Sequence, residues 1–310
     1  MTVDVELWPS SWDGYRTEIG ESYGRYILGR TSRGDYGLPF QLRIAQDYGL
    51  RFVCFVESLF ACEMDSGYLT EIVQMIQENG QEIQLHAHPE WVRHANNPIV
   101  ATGNRYLLSQ FSEDEQLRLI EVGLSNLDRA GASDVRAFRA GSFDASDATI
   151  NAVRRAGLDV DSSFIMNSST MNGNADLATG SQVDGVFEYP LSVFQDWPGH
   201  ERHLQLASCS TRELIHVLRE ARRATWDYVV VLSHSAELLN GSRLRPDPVV
   251  IRRFEQLCRF LADNPSDFDT AWFRDHDPSM SVTRPRELIQ SSRWRTLIRV
   301  TEQGARRLIG

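Results

Sequence analysis

Short apolar runs alternate with amphipathic segments along most of the chain. Runs of four to six residues rich in Val, Ile, Phe and Tyr have the length and composition of buried β-strands. They cover residues 2–6, 51–56, 82–86, 135–139, 159–163, 186–189, 228–233 and 268–273. The segments between most of them have the three-to-four-residue period of helices, often with a capping residue before them or a glycine after them. These helices are expected between Pro39 and Gly49 and at residues 68–79, 114–129, 147–156, 212–223 and 248–262. Residues 8–37 and 166–185 show no clear element, so we expect loops there.

The repeated alternation of strand and helix predicts parallel strand pairing. About eight strands in this length indicate an α/β fold, an irregular (β/α)7-8 barrel forming one domain over residues 1–280. Residues 281–310 are expected to form a basic helical tail. A doubly wound open sheet is the alternative, but no G-x-G-x-x-G follows the first strand.

Composition excludes several chemistries. The chain has 310 residues, of which 42% are hydrophobic and 24% charged, as in ordinary globular proteins. All 32 basic residues are arginines. Without lysine, a P-loop nucleotide site and Schiff-base catalysis by a side-chain amine are excluded. None of the four cysteines forms a C-x-x-C pair, so a structural zinc knuckle is not expected.

Charge is distributed unevenly. The net charge is −10, yet residues 281–310 hold seven arginines against two glutamates. An acidic body disfavours nucleic acid as a partner. The basic tail also carries apolar residues, so it could contact an anionic membrane surface, or it could pack on the body with its basic face in solvent. With no transmembrane run and no secretory signal at the N-terminus, we expect a cytoplasmic protein, with the tail at the inner face of the membrane.

Unusual polar residues fall where four predicted strands end. Asp4 and Glu6 end the first strand and Arg139 a later one, while His86 begins an H-x-H motif and His234 follows the run VVVL. In a parallel barrel, the carboxyl ends of all strands meet on one rim, where chemistry gathers.

The spacing at two of these strand ends indicates a metal site. Residues two apart in a strand point the same way, so Asp4 and Glu6 share a face, as do His86 and His88. Two imidazoles and a carboxylate that converge on one point can bind a divalent ion and leave positions for water. We expect one ion, zinc first, with cobalt, nickel and iron as alternatives.

A serine hydrolase is a competing interpretation. Residues 20–24 match the nucleophile-elbow pattern G-x-S-x-G. The elbow needs a buried strand before the serine and a helix after it. The residues before Ser22 are only weakly strand-like, which disfavours this interpretation.

With these residues identified, the chain resembles the polysaccharide deacetylase family, carbohydrate esterases with the NodB-homology fold. The resemblance spans most of residues 1–275. It rests on an ordered set of segments: TVDVELW, EIQLHAHPEW, AFRAGSF, GLDVDSSF, FEYPLSVF and VLSHSAELL. The family has an irregular (β/α) barrel and removes N- or O-acetyl groups from sugars with the help of a metal ion.

The resemblance implies a role for each strand-end residue. Asp4 would be the general base, with Arg139 holding it, and His234 the general acid. The metal ligands would be Glu6, His86 and His88. Five further residues would support these groups or contact the substrate: Glu90, Trp91, Gly141, Asp161 and Glu237.

Two departures from the usual family pattern leave alternatives open. The carboxylates have D-x-E spacing, so the roles of Asp4 and Glu6 could be exchanged. The usual histidines are four residues apart, but four residues after His86 lies Glu90, which could replace His88 as a ligand.

The resemblance implies a metal-dependent deacetylase that acts on an acetylated amino sugar or glycan. The D-x-E and H-x-H-P motifs and the expected cytoplasmic location suggest a role in bacterial surface polysaccharide or lipopolysaccharide O-antigen synthesis. Two alternatives remain: another metal hydrolase on a barrel, acting on a phosphoester or cyclic amide, and a glycan-binding protein that kept the fold and lost the chemistry.

Overall fold

One sheet organises the chain. The computed structural model describes residues 1–166, 182–183, 185–275 and 288–309. The strands are β1 Thr2–Val5, β2 Arg30–Thr31, β3 Gly34–Asp35, β4 Val53–Glu57, β5 Glu82–Ala87, β6 Ala137–Ala140, β7 Val160–Asp161, β8 Gln182–Val183, β9 Val186–Glu188, β10 Val193–Trp197, β11 His200–His203 and β12 Leu232–His234. The main sheet runs β12-β1-β4-β5-β6-β7-β9-β8, and the first seven strands in this order are parallel. Only β8 joins it antiparallel. The predicted irregular barrel is therefore confirmed.

A chain segment that follows β11 lies between Ser192 and the edge strand β12. Between β9 and β12, the Leu204 amide donates to the carbonyl of Ser192 at 2.8 Å, and the Leu232 amide donates to the carbonyl of Leu204 at 3.0 Å. The Leu206 amide in turn donates to the carbonyl of Leu232 at 2.9 Å. This segment supplies hydrogen-bond partners for the Leu232 amide and carbonyl at the β12 edge of the sheet.

Helices follow most strands. They are α1 Tyr15–Tyr26, α2 Leu38–Asp47, α3 Gly67–Glu78, α4 Glu90–Arg93, α5 Glu113–Arg129, α6 Asp147–Arg155, α7 Thr211–Arg223, α8 Pro248–Asp263 and α9 Arg293–Ile309. A capping box precedes α5, since Ser112 accepts from the Glu115 amide and the Glu115 carboxylate accepts from the Ser112 amide. Apolar residues of α1 to α8 pack against the sheet in one continuous core.

Two sequence-based expectations about elements are wrong. Residues 268–272 form no strand; instead Trp272 donates its indole N–H to the Phe52 carbonyl, and the Glu82 carboxylate accepts from the Phe273 and Arg274 amides. Residues 8–37 are not all loop, because α1 lies within them. Part of the second expected loop, residues 167–181 and 184, lies outside the described residues.

Helix α1 also removes the serine hydrolase interpretation. Ser22 lies inside this helix and is 1% exposed, so it is not on a strand-to-helix turn.

The C-terminal helix α9 packs on the body through buried ion pairs. Arg299 is 4% exposed, and it donates to Asp196 Oδ2 at 2.5 Å and to Glu213 Oε1 at 3.1 Å. Arg253 on α8 is paired with Glu302 at 2.8 Å. No helix in the described part of the chain is long and apolar enough to cross a membrane.

Candidate metal and catalytic site

Two imidazoles converge on one carboxylate oxygen at the carboxyl end of the sheet. His86 lies near the end of β5 and His88 directly follows that strand, while Glu6 follows β1. The Nε2 atoms of both histidines lie 3.1 Å from Glu6 Oε1. Both imidazoles are almost fully buried, and the Glu6 side chain is 17% exposed. The spacing of two along the chain thus brings the two rings together, as the sequence predicts.

The tautomer of His86 follows from the hydrogen bond at Nδ1, the ring nitrogen that does not face Glu6. Nδ1 lies 2.8 Å from the carbonyl oxygen of Arg139, which can only accept a hydrogen bond. Nδ1 therefore carries a proton, and Nε2 offers its lone pair towards Glu6. A hydrogen bond from the far ring nitrogen to a carbonyl is the arrangement that orients metal-binding histidines.

These three residues fit a divalent cation. An ionised carboxylate oxygen and an imidazole lone pair repel each other at 3.1 Å unless a cation or a proton lies between them. In the absence of metal, the two imidazoles hold the pKa of Glu6 well below its usual value although burial acts to raise it. Two imidazoles and one carboxylate form a donor set that zinc and its neighbours bind, with room for water.

The second oxygen of Glu6 is held by a tryptophan. The indole N–H of Trp8 donates to Glu6 Oε2 at 2.8 Å. This bond leaves Oε1 turned towards the histidines. Trp8 also contacts the His88 ring edge-on, with 4.7 Å between ring centroids.

Asp4 is engaged differently from Glu6. Arg139 donates to Asp4 Oδ1 at 2.5 Å, and neither side chain is more than 2% exposed. The distance from His86 Nε2 to Asp4 Oδ2 is 4.0 Å, compared with 3.1 Å to Glu6 Oε1. The guanidinium is fixed in turn by the carbonyl and hydroxyl of Ser162 at 3.1 and 2.9 Å, and it lies over the Phe55 ring at 4.0 Å.

His234 lies close to both carboxylates. One of its ring nitrogens is within 4.8 Å of carboxylate oxygens of Asp4 and Glu6. Its Nδ1 faces Glu237 Oε2 at 3.6 Å, and Glu237 Oε1 accepts from Gln205 and from the Ala207 amide, each at 2.9 Å. Burial acts to lower the pKa of His234, but the Glu237 carboxylate outweighs it and raises that pKa to about 9. His234 is therefore an imidazolium at neutral pH when no cation is bound nearby.

The surroundings of His88 bring together three of the weaker candidates. Gly141 approaches so closely that a Cβ on it would lie 2.5 Å from His88 Nδ1. Glu90 Oε2 lies 3.4 Å from the same nitrogen, whereas the other ring nitrogen of His88 faces Glu6. Trp91 is fully buried and packs against Trp8, with 6.4 Å between the ring centroids.

Asp161 lies apart from the proposed ligands. Its carboxylate accepts from the amide and hydroxyl of Ser163, each at 2.8 Å. It neighbours Glu188 on the adjoining strand, and burial raises the pKa of both carboxyl groups. Its connection to the site is indirect, through Ser162 and Arg139.

Several residues that build the site were missed from the sequence. Glu57 ends β4, is fully buried and accepts from the amides of Leu59 and His88; burial raises its pKa to about 8. As a polar residue at a strand end, it fits the same rule that identified His86. Trp8, Ser162 and Gln205 have no such signal, because their contacts depend on loop conformations.

An open cavity adjoins Glu6 and His234. Its volume is about 360 Å³, and its wall includes Trp8, Tyr26, Gln205 and Arg243. Aromatic faces beside polar side chains form a surface that suits a sugar ring with its hydroxyl groups.

Comparisons with known proteins agree on the fold. A scan against protein-family models and a search of curated proteins find no match to this sequence. Among solved structures, a Mycobacterium smegmatis protein provisionally described as a polysaccharide deacetylase matches at 15% identity, with a TM-score of 0.56 over 93% of each chain. A family 4 carbohydrate esterase from Streptomyces lividans matches at 13% identity and a TM-score of 0.42, over 85% of this chain and 86% of that one. The peptidoglycan deacetylase PdaC from Bacillus subtilis matches at 11% identity and a TM-score of 0.41, over 100% and 95% of the two chains. Only the first score is high enough to carry an argument, and at that identity it shows a shared fold, in agreement with the irregular barrel.

Proposed function

We propose that this protein is a divalent-metal-dependent hydrolase that removes an N-acetyl or similar acyl group from a sugar. The observation that carries the proposal is the approach of His86 Nε2 and His88 Nε2 to one oxygen of Glu6, with Asp4 and His234 beside it. The shared fold with the M. smegmatis protein and the resemblance of the motifs to deacetylases support it.

In this proposal Glu6, His86 and His88 bind the ion and Asp4 is the base. A bound divalent ion supplies Lewis acidity, which polarises the amide carbonyl and makes water a nucleophile at neutral pH. Asp4 Oδ2 is free of Arg139 and accepts the proton of the attacking water. Arg139 fixes the carboxylate through a hydrogen bond to Oδ1.

His234 is the proposed acid. Expelling an amine requires a proton on its nitrogen, and the Glu237 carboxylate keeps a proton on the imidazole. Because Nδ1 faces Glu237, Nε2 is left to donate. Asp4 and His234 thus take the two complementary proton-transfer roles of an amide hydrolase.

The biological setting is a further part of the proposal. We infer a cytoplasmic enzyme that uses zinc in the synthesis of surface polysaccharide or O-antigen, as the D-x-E and H-x-H-P motifs suggest. Peripheral membrane contact through the C-terminal tail is supported by exposed apolar side chains on α9, where Trp294, Leu297 and Val300 are 65%, 52% and 51% exposed.

The test is release of acetate from acetylated amino sugars by the zinc-, cobalt- and nickel-loaded protein. Free amine and phosphate are measured in parallel. Asp4→Asn should lower the rate at least ~100-fold while metal stays bound, because it removes a base and not a ligand. Glu201→Gln, an exposed acid on β11, serves as the matched control and should keep full activity.

Three outcomes would contradict the proposal. Release of phosphate without acetate would favour another barrel hydrolase. Binding of acetylated sugars without turnover at any metal would favour the glycan-binding alternative. Loss of metal in Asp4→Asn would make Asp4 a ligand rather than the base.

A further inference from the structure

Among the described residues, one positively charged side chain without a carboxylate partner lies in the wall of the cavity beside His234. Arg243 lines this cavity, and within the described residues no carboxylate lies within 4.0 Å of its guanidinium. Nor does that guanidinium donate a hydrogen bond to any group in the described part of the chain. The guanidinium edge is therefore open to the cavity, where its five N–H groups can donate to a bound ligand.

The side chain and backbone of Arg243 are both constrained. Its guanidinium lies over the ring of Tyr26, with Cζ 4.7 Å from the centroid. Stacking occupies the face of the planar group and leaves its N–H donors at the edge. The backbone φ of Arg243 is 55°, in the left-handed region that a non-glycine residue rarely adopts. The Asn240 side chain supports this turn by accepting from the Leu244 and Arg245 amides at 3.1 and 3.2 Å. Strained backbone of this kind is found more often at binding sites than elsewhere.

The acidic groups of the cavity are balanced by other partners. Glu237 accepts three hydrogen bonds and faces His234, and Glu6 faces the two histidines. A second arginine in the wall, Arg306 from α9, is paired with Asp247 at 2.6 Å. The unbalanced charge in the described wall is therefore the positive charge of Arg243.

We infer that the sugar substrate carries an anionic group, a carboxylate or a phosphate, which Arg243 binds while the reacting acyl group lies at Glu6 and His234. The inference rests on the proposed function for the position of the acyl group. An oxyanion accepts two parallel N–H bonds from a guanidinium edge, whereas a hydroxyl group cannot match this geometry. Trp8, which also lines the cavity, offers aromatic surface to the sugar ring between the two ends.

The test compares three probes by isothermal titration calorimetry with the zinc-loaded protein. They are N-acetylglucosamine, its uronic acid, and N-acetylglucosamine 1-phosphate. The inference predicts that at least one anionic probe binds ~10-fold or more tightly than the neutral sugar. The tighter of the two shows whether the anion is a ring carboxylate or an anomeric phosphate.

Variants assign any preference to a residue. Arg243→Gln should remove the preference, so that the anionic probes bind no more tightly than the neutral sugar. Arg245→Gln is the matched control, since Arg245 lies in the same turn, is exposed and does not line the cavity. It should behave like the unmodified protein, and circular dichroism should show both variants folded.

The outcomes separate this inference from the proposed function. Equal affinity for all three probes, or a preference that survives Arg243→Gln, would overturn the inference of an anionic substrate. If acetate were still released from neutral sugars, the proposed deacetylase function would stand. Binding of an anionic probe that depends on Arg243, with no acetate released from any sugar, would support the anion site and overturn the deacetylase.

Discussion

Arg139 and Asp4 form an ion pair of 2.5 Å in which neither side chain is more than 2% exposed. They come from β6 and β1, which are separated in the sheet by two strands. A buried pair of this kind contributes little to stability against apolar replacements, but removal of one partner leaves a buried charge unpaired. The pair is therefore best understood as fixing the Asp4 carboxylate for its task.

Arg139→Met should destabilise the protein by about 3–5 kcal/mol, because Asp4 would stay buried without its partner. The double variant Asp4→Asn with Arg139→Met should recover most of that loss while remaining inactive. Urea unfolding measures both. Arg155→Met, which breaks surface pairs with Glu113 and Asp114, is the control and should leave the midpoint almost unchanged. An equal loss in the single and double variants would show that the two charges are not coupled.

Gly141→Ala should weaken metal binding and lower activity. The new methyl group would lie 2.5 Å from His88 Nδ1, so either the imidazole or the backbone must move. Overpacking of this kind costs about 1–3 kcal/mol. Gly304→Ala is the matched control, since nothing lies within 4 Å of its Cβ position and it lies in α9, where alanine favours the helix. Unchanged zinc affinity in Gly141→Ala would mean that His88 is not held in place by this contact.

Glu237→Gln should move the alkaline limb of the kcat/KM profile towards neutral pH. In the metal-free protein Glu237 raises the pKa of His234 to about 9, and a bound cation lowers it from there, so activity should fall at or below this pH. The same shift affects stability: the contribution is fully present below the ordinary pKa of 6.5 and is lost as the pH rises towards 9. Profiles that superimpose would exclude His234 as the acid tuned by Glu237.

Arg299→Met should loosen the C-terminal helix. Asp196 and Glu213 would lose a shared partner that is 4% exposed, at a cost of about 3 kcal/mol. Urea unfolding would measure the loss of stability, and limited proteolysis would measure the loosening of α9. Arg295→Gln is the control, since its guanidinium donates only a single 3.2 Å bond to the Ser292 hydroxyl near the start of the helix, and it should change neither. If Arg299→Met unfolds at the same urea concentration as the unmodified protein, α9 is held by other contacts.

The strand-end residues could be predicted because two simple rules apply to them. Parallel strands present their carboxyl ends on one rim, and residues two apart share a face, which brings together Glu6, His86 and His88. The same logic covers Arg139, whose partner Asp4 lies at the matching end of β1. Such residues belong to regular elements, so their positions follow from the pattern of the chain.

What could not be predicted depends on tertiary contacts. Helix α1 contains Gly20 and Gly24, which lower its intrinsic helix propensity, and it is held by burial of Tyr15, Ile19 and Tyr23. The apolar run that ends at Phe273 has the composition of a strand but binds the sheet through Glu82 and Trp272. The bond from Trp8 to Glu6 depends on the path of a loop.

The most direct test of the central claim is zinc binding to the metal-free protein. Calorimetry monitors the titration, and repeating it in two buffers measures the number of protons released. The account predicts one ion per chain, and release of a proton, because zinc replaces the proton that Glu6 and Glu90 favour on His88 by raising its pKa. In His86→Ala the ion should be lost, whereas His203→Ala, a histidine on β11 away from the site, should bind as before. Absence of binding by the unmodified protein, or full binding by His86→Ala, would contradict the metal site and with it the proposed chemistry.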